Sequence, residues 1–239
     1  MFVIVVDMTL DAGAPVSRRE RPAKPALTRE GIVAAAVEVM RTEGLERVTM
    51  RRLAQELDTG AASLYVYVRN TAELHAAVLD ELLGAVDLGP ATAPGDWRDR
   101  IVQVLCSYTL VLFEHPSLAR SALLARPSGP NYVGLVESLL ALLSEGDVPA
   151  DRAAWALDLL LQFATTNAAE HSTRGDDVDA REKDALVAAL RSASPQTHPH
   201  ITAVATELLS GTGIERLTWG FNVLITGTLN TPRPEPHRP

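Results

Sequence analysis

Apolar residues recur every three or four positions over most of the chain, which is the period of an amphipathic helix. The first such run lies between Thr28 and Gly44, and glycine commonly ends helices. Its apolar positions are Ile32, Ala35, Ala36, Val39 and Met40. The alternation of apolar and polar residues that is typical of strands is nowhere sustained. The pattern therefore predicts an all-α fold.

Two short helices joined by a tight turn are predicted next. Thr49 is placed to cap the first of them, whose inward positions are Leu53, Ala54 and Leu57. Residues 58–60 (Asp-Thr-Gly) form the turn, and the second helix is predicted over residues 61–68. Asn70 followed three residues later by Glu73 is a capping signal for a longer helix. This order predicts a three-helix, helix-turn-helix domain over residues 28–75.

A segment rich in Gly and Pro at residues 89–95 separates this domain from a second group of apolar helices. The predicted helices are 97–114, 116–124, 130–145, 149–171, 181–192, 200–209 and 214–229, with a polar, acidic loop at 172–180. We therefore divide the chain into a flexible basic arm (1–27), the helix-turn-helix domain (28–75), a larger helical domain (76–231) and a disordered Pro-rich tail (232–239).

Composition excludes several classes of protein. Hydrophobic residues make up 46% of the 239 positions, which is enough for a sizeable core. No apolar run approaches the ~20 residues of a membrane span, and the N-terminal run at residues 2–6 is too short for a signal sequence. A single cysteine, Cys106, excludes an internal disulfide and a cysteine-based metal cluster. A soluble protein of the reducing cytoplasm is expected.

Charge is distributed unevenly along the chain. The net charge is −8, but residues 16–71 contain ten Lys and Arg against seven Asp and Glu, a local charge of +3. From residue 76 onward twenty acidic residues outnumber twelve basic ones. This asymmetry indicates two parts with different partners, the N-terminal part being suited to a polyanion.

The chemistry of the helix-turn-helix domain favours DNA. In this motif the second short helix enters the major groove. If Leu64 and Val68 face inward, the side chains of Tyr65 and Tyr67 are left outside, where their hydroxyls can bond phosphate oxygens. A plain helical hairpin within a core would leave these tyrosines unexplained.

The same residues resemble the tetracycline-repressor (TetR) family. The matching elements are Gly44-Leu45, Thr49-Met50-Arg51-Arg52-Leu53-Ala54, Leu64-Tyr65-Val66-Tyr67-Val68 and Asn70. The resemblance covers residues 28–75 in order, spacing and helix length. It implies DNA contacts by Thr49, Arg51, Thr59, Gly60, Ala61, Ala62, Ser63, Tyr65, Tyr67 and Arg69.

Two positions depart from the family pattern. Asp58 stands where the family usually has a turn glycine, and Thr71 stands where a lysine commonly binds phosphate, so that contact is either lost or replaced by Arg69. The basic arm, with Arg18, Arg19, Arg21 and Lys24, either enters an adjacent minor groove or is a solubilising tail. Both interpretations of the arm stay open.

The resemblance also implies that the C-terminal helices bind a small-molecule effector and form a homodimer. The predicted interface helices are 149–171 and 214–229, since both are apolar on more than one face. Polar or aromatic residues within apolar helices are the effector-binding candidates: Tyr108, Phe113, Gln162, Phe163, Asn167 and His171. Ordinary core packing is the alternative for the two phenylalanines, and a place at the dimer rim is the alternative for Asn167 and His171.

Signals for catalysis or metal binding are weak. Cys106 has the surroundings of a small core residue, 211–213 (Gly-Thr-Gly) lacks phosphate-loop spacing, and the spacing of His198 and His200 is a poor metal signal. We therefore expect a cofactor-free, metal-free regulator, a repressor released from a palindromic operator by a small lipophilic or antibiotic-like effector. The alternatives are an enzyme or small-molecule carrier with an incidental hairpin, and an architectural DNA binder without an effector.

Overall fold

The computed structural model describes residues 26–123, 127–172 and 176–234, and every regular element within these ranges is helical. Residues 1–25 of the predicted arm and 235–239 of the predicted tail lie outside the described residues. The predicted all-α fold is therefore confirmed for the described part of the chain.

Four helices form the N-terminal part. They are α1 (Arg29–Glu43), α2 (Met50–Glu56), α3 (Ala61–Leu64) and α4 (Thr71–Leu83), with a short 3-10 turn at Leu45–Arg47. Side-chain caps begin three of them. Thr49 caps α2 and Asn70 caps α4, as the sequence predicts, and the Oγ1 of Thr28, for which no cap was predicted, accepts from the Gly31 amide at 3.0 Å at the beginning of α1. Gly44 ends α1 with a φ of +93°, a conformation that favours glycine.

The second short helix is shorter than predicted. The sequence predicts residues 61–68, whereas α3 ends at Leu64 and a turn of residues 65–67 follows. The amides of Tyr67 and Val68 both bond the Leu64 carbonyl. Because Val68 is then needed inside the core, the chain turns there instead of continuing the helix.

Eight helices form the C-terminal part. They are α5 (Trp97–Phe113), α6 (Pro116–Ala122), α7 (Pro130–Glu145), α8 (Ala150–Ser172), α9 (Asp176–Arg191), α10 (Pro199–Ala203), α11 (Ala205–Leu208) and α12 (Gly213–Asn230). The long helix α8 packs against α5, α6, α7 and α12 and so forms the centre of this domain. Arg100 of α5 is buried, forms an ion pair with Glu145 at the end of α7, and donates to the carbonyls of Ala91 and Ala93.

Two predictions for the C-terminal part are wrong. Residues 176–180 belong to α9 and not to a loop, since acidic residues are favourable in the first turn of a helix as well as in loops. The predicted helix 200–209 is divided at Val204, whose φ and ψ of −122° and 16° are not helical. No helix among the described residues is long and apolar enough to cross a membrane.

Candidate nucleic-acid interface and ligand cavity

The turn between α2 and α3 is built on an aspartate. Asp58 has a φ of +46°, in the left-handed region that Asp tolerates better than most residues. The Thr59 amide donates to the Ala54 carbonyl at 2.8 Å and closes the turn. The chain therefore forms the turn without the glycine that is usual at this position.

The predicted division between inward and outward residues is confirmed. Leu53, Leu64 and Val68 are fully buried, whereas Tyr65 is 53% and Tyr67 36% exposed. Ala62 and Ser63 are exposed, while Ala61 and Thr59 are half-buried and Gly60 is exposed. The predicted base-reading residues and both tyrosines thus lie on or near the surface of the helix-turn-helix unit (residues 49–68).

Two neighbouring arginines have different surroundings. The guanidinium of Arg52 donates to Glu56 at 2.8 Å and to both carboxylate oxygens of Glu43. These bonds raise the pKa of Arg52 and lower that of Glu43. Arg51 is exposed and has no ion pair or hydrogen bond to any described side chain. Of the two, Arg51 alone is an exposed cation without an ion pair among the described residues. It lies two positions after Thr49, whose Oγ1 accepts from the Arg52 amide at 3.2 Å.

Arg69 has an intramolecular partner. Its backbone amide and its Nε donate to Oε2 of Glu73 at 2.9 and 3.2 Å, and the backbone bond is the main reason that the pKa of Glu73 is lowered. The Arg69 side chain is nevertheless 89% exposed. A phosphate contact by Arg69 would therefore compete with Glu73.

A contact that sequence reasoning missed attaches α4 to this unit. The Nε2 of His75 donates to the Val48 carbonyl at 3.0 Å, one residue before the cap of α2. Leu74 and Val78 of the same helix are fully buried in the core. Through this bond and this packing, helix α4 fixes the position of the helix-turn-helix unit.

The C-terminal domain contains a cavity of about 140 Å³, named here the α8 cavity. Its lining residues come from α5, α6, α7, α8 and the segment before α7: Tyr108, Ala122, Leu123, Pro127, Tyr132, Asp158, Leu161, Gln162 and Thr165. Two of the six effector-binding candidates, Tyr108 and Gln162, are among them.

Tyr108 is the most deeply buried polar group in the wall. Its hydroxyl lies 2.8 Å from Oγ1 of Thr165, which itself donates to the Leu161 carbonyl at 2.8 Å, so the tyrosine is the donor. Burial raises the pKa of Tyr108 to about 12. The cavity wall therefore holds a neutral phenol at physiological pH.

Phe113, Phe163 and Asn167 do not line the α8 cavity. Phe163 packs edge-on against Phe221 with ring centroids 5.3 Å apart, Phe113 packs against the core, and the Asn167 side chain donates to the Phe163 carbonyl at 2.8 Å. Both phenylalanines therefore pack against the hydrophobic core. The side chain of His171 lies outside the described part of the structure.

Four lining residues on α8 carry a signal that the sequence analysis missed. Asp158, Leu161, Gln162 and Thr165 are spaced three, four and seven residues apart, which places them on one face of a helix. Tyr132, at the beginning of α7, lies far from them in the chain and has no such signal.

The outer surface of α8 and α12 is apolar. Trp155 and Leu159 on α8 are about half exposed, as is Val223 on α12, and Trp219 is 70% exposed. The guanidinium of Arg233 lies over the Trp155 ring at 4.1 Å. These are the two helices that the sequence predicts for subunit contact, and we name this surface the α8–α12 face.

Family models match both parts of the chain. Residues 32–78 match the model of bacterial regulatory proteins of the tetR family, and residues 89–230 match the tetracyclin repressor-like C-terminal domain. Solved structures agree. The Streptomyces coelicolor protein SCO7704, crystallised as a candidate transcription regulator, is 57% identical, with 89% of this chain and 100% of that chain covered and a TM-score of 0.74.

ActR of Streptomyces coelicolor, in complex with actinorhodin, is 35% identical over 86% of this chain and 96% of that chain, with a TM-score of 0.77. Among curated proteins, the transcriptional repressor DrrR1 of Streptomyces coeruleorubidus is 35% identical over 127 residues, covering 53% of this chain. The chain spans about half the length of the first curated relatives it matches, 58% and 47%.

Proposed function

The chain belongs to the TetR family of bacterial regulatory proteins, and from that premise we propose that it is a homodimeric transcriptional repressor released from a palindromic operator by a small effector. The observation that carries the proposal is the surface of the helix-turn-helix unit. Tyr65, Tyr67 and Arg51 are exposed, whereas Leu64 and Val68 are fully buried. A hairpin that served only as core packing would bury its aromatic residues.

On DNA, the exposed residues have different tasks. The tyrosine hydroxyls bond phosphate oxygens and fix the register, and Arg51 bonds phosphate or a guanine edge. Ala61 and Ala62 offer methyl groups to thymine but no hydrogen bonds to bases. DNA shape and the arginine therefore supply much of the sequence preference.

Dimerisation through the α8–α12 face would set the spacing of the two recognition helices. Exposed tryptophan, leucine and valine side chains form a contiguous apolar patch, the composition expected of an interface core. Two-fold symmetry then requires a palindromic site whose half-sites lie about one helical turn apart.

The effector is proposed to bind in the α8 cavity. Its wall combines apolar side chains with Tyr108, Gln162 and Thr165, a mixture typical of small-molecule sites. The relative in complex with actinorhodin supports actinorhodin as the first compound to test. The alternative, an enzyme or carrier with an incidental hairpin, is not favoured, because both parts of the chain match models of the TetR family.

Selection of bound DNA from a random pool, at near-physiological salt, tests the regulator. An enriched palindrome is the expected result and gives the operator. Absence of any enriched sequence, together with binding that disappears at modest salt, would contradict specific recognition.

Two matched variants then test the surface assignment. Arg51→Ala is expected to weaken operator binding ~5- to 50-fold and to reduce the salt slope by about one, with the melting temperature unchanged. Arg52→Ala is expected to lower the melting temperature instead, because it breaks the bonds to Glu43 and Glu56. Equal loss of operator affinity in both variants, with equal stability, would contradict the different roles.

A further inference from the structure

The C-terminal segment folds back from the end of α12 onto α8. After α12 ends at Asn230, residues 231–234 (Thr-Pro-Arg-Pro) reach the beginning of α8, and we name this segment the C-terminal strap. The guanidinium of Arg233 lies over the Trp155 ring, with 4.1 Å between its Cζ atom and the ring centroid. Its Nη1 donates to the Asp151 carbonyl at 3.3 Å and lies 4.0 Å from Oδ2 of the same residue. Arg233 thus attaches the strap to α8.

The strap lies on the α8–α12 face. Trp155 and Leu159 of α8, Val223 of α12 and all four strap residues line one groove of about 390 Å³. The guanidinium covers one side of the Trp155 ring, while 52% of this residue stays exposed. A second subunit that packs on this face therefore meets the strap where it would contact Trp155.

Arg233 is incompletely paired in this position. Its Nε is buried and has no hydrogen-bond partner. The side chain of Arg233 is 32% exposed and that of Asp151 57% exposed, so water still reaches both charges. A guanidinium has five N–H donors, and water must satisfy those that the protein does not. The strap is therefore well solvated only while the face around it is open.

A second subunit on the same face would remove that water. The guanidinium would then be a buried charge with a distant carboxylate and unsatisfied donors, which is strongly unfavourable. An uncovered Trp155, by contrast, is the type of side chain that contributes most to subunit interfaces. From this contrast we propose that the C-terminal strap is an autoinhibitory cover, which competes with the second subunit for Trp155. The proposal rests on the proposed function, because the covered face is the proposed dimer interface.

The strap is held closed by few bonds. Its two prolines have no N–H donors, and the Arg233 amide donates to no acceptor within the described ranges. Only chains whose strap has left Trp155 can associate, so the apparent dissociation constant of the dimer is divided by the open fraction once for each chain. If about one third of the straps are open, the two copies together weaken the dimer about 9-fold.

Arg233→Ala tests this competition in the full-length chain. The substitution frees Trp155 and leaves the apolar side chains of α8 and α12 in place, so the dissociation constant of the dimer is expected to fall ~5- to 20-fold. Fluorescence-detected sedimentation velocity of protein labelled at its N-terminus measures this constant from picomolar to micromolar concentration. Arg238→Ala, at another arginine of the same tail, is the control and is expected to change it by less than 2-fold.

Two further variants separate competition from a general effect of charge. Asp151→Asn weakens only the ion pair to the strap, and its expected effect is a smaller tightening of ~2- to 3-fold; it also replaces Arg233→Ala if that variant does not fold. Trp155→Ala removes the ring for which strap and subunit compete. In that background Arg233→Ala is expected to change the dissociation constant by less than 2-fold, whereas an effect of the arginine charge alone would persist.

The outcomes distinguish the strap from the dimer itself. A dimer of Arg233→Ala that is no tighter than wild type overturns the proposal, and a weaker one shows that the strap belongs to the interface. Equal tightening with and without Trp155 overturns it too, as does a wild-type dimer that persists at picomolar concentration, because a covered face predicts measurable dissociation. A chain that stays monomeric at micromolar concentration in every variant instead contradicts the proposed homodimer.

Discussion

At the residue scale, Thr49 has a structural task that is separate from any DNA contact. Its Oγ1 satisfies the Arg52 amide, one of the four amides that a helix N-terminus leaves without partners. Thr42 offers a comparison, since its hydroxyl only donates to carbonyls of α1 and caps nothing. The two threonines therefore separate the loss of a cap from the loss of a hydroxyl.

Thr49→Ala is expected to lower the free energy of unfolding by ~1 kcal/mol, the usual cost of a lost N-cap. Thr42→Ala is expected to change it by less than ~0.5 kcal/mol. Urea unfolding followed by circular dichroism, at one fixed protein concentration, measures both. A cost in Thr42→Ala as large as that in Thr49→Ala would show that the cap does not determine the stability of α2.

Tyr108 makes stability depend on alkaline pH. Its pKa is about 12 in the folded protein and near 10 when exposed, because burial disfavours the phenolate. A group with a raised pKa stabilises the fold fully below pH ~10 and loses that contribution as the pH rises towards ~12. Wild type should therefore lose up to ~3 kcal/mol over this interval.

Tyr108→Phe is expected to lack that alkaline loss, although it gives up the hydrogen bond to Thr165 at neutral pH. Ultraviolet titration provides the second check. Of the four tyrosines in the chain, one should ionise near pH 12 in the wild type, and this late step should be missing from the variant. Identical alkaline stability curves for the two proteins would contradict the assignment.

At the element scale, local signals predicted the helices well and their interruptions poorly. The sequence alone identifies Thr49 and Asn70 as helix caps, and both cap their helices in the structure. The end of α3 at Leu64 depends on the burial of Val68 in the core. The break at Val204 has no glycine or proline beside it that would have predicted it. Tertiary packing decides such details, so periodicity cannot supply them.

The prediction of the residues that line the cavity was limited in the same way. Polar residues in apolar helices identified Tyr108 and Gln162, but the same rule also selected Phe163, which packs on Phe221. Gln162 lines the cavity and its neighbour Phe163 contacts α12, and the sequence of α8 alone does not distinguish these two faces of the helix. A hydrogen bond between the two domains was missed for a related reason: Oδ1 of Asp80, in α4, accepts from the amide of Tyr132, in α7, which lies about fifty residues away in the chain.

Contact between α8 and α12 depends on one glycine. A Cβ atom on Gly220 would lie 2.4 Å from Cζ of Phe163, whose ring is already held against Phe221. Gly134, in α7, has only Leu88 Cδ1 at 3.9 Å near its hypothetical Cβ. Both glycines are inside helices, but only the first has no space for a methyl group.

Gly220→Ala is therefore expected to destabilise the protein by ~1–3 kcal/mol through overpacking. Gly134→Ala is expected to stabilise it by ~0.5–1 kcal/mol, because alanine has less freedom to lose in a helix. Thermal unfolding of the two variants and of the wild type shows whether each substitution lowers or raises the stability of the protein. Stabilisation by Gly220→Ala would contradict the close approach of the two helices.

At the scale of the whole molecule, the α8–α12 face is the surface proposed for the second subunit. Val223 lies on it and is 47% exposed, and Val133 on α7 has a similar exposure of 58% but lies elsewhere. A charge introduced into an interface is buried without a partner in both subunits, whereas a charge on a free surface stays hydrated.

Val223→Glu is expected to weaken the dimer at least ~100-fold, which corresponds to ~2.7 kcal/mol. Val133→Glu is expected to leave it intact. Sedimentation velocity at micromolar concentration measures both, and circular dichroism shows that each variant is folded. Dissociation caused by Val133→Glu alone would assign subunit contact to the α7 surface instead.

The placement of the three tryptophans gives the protein built-in optical reporters. Trp97 packs against Gly146 inside one chain, whereas Trp155 and Trp219 lie on the α8–α12 face, about half and largely exposed. Their emission should shift to shorter wavelength when subunits associate and become less accessible to iodide, while Trp97 changes only when the chain unfolds. Arg233 stacked on Trp155 makes that ring sensitive to the C-terminal segment as well. Assembly and unfolding are thus distinguishable by intrinsic fluorescence, with no label attached.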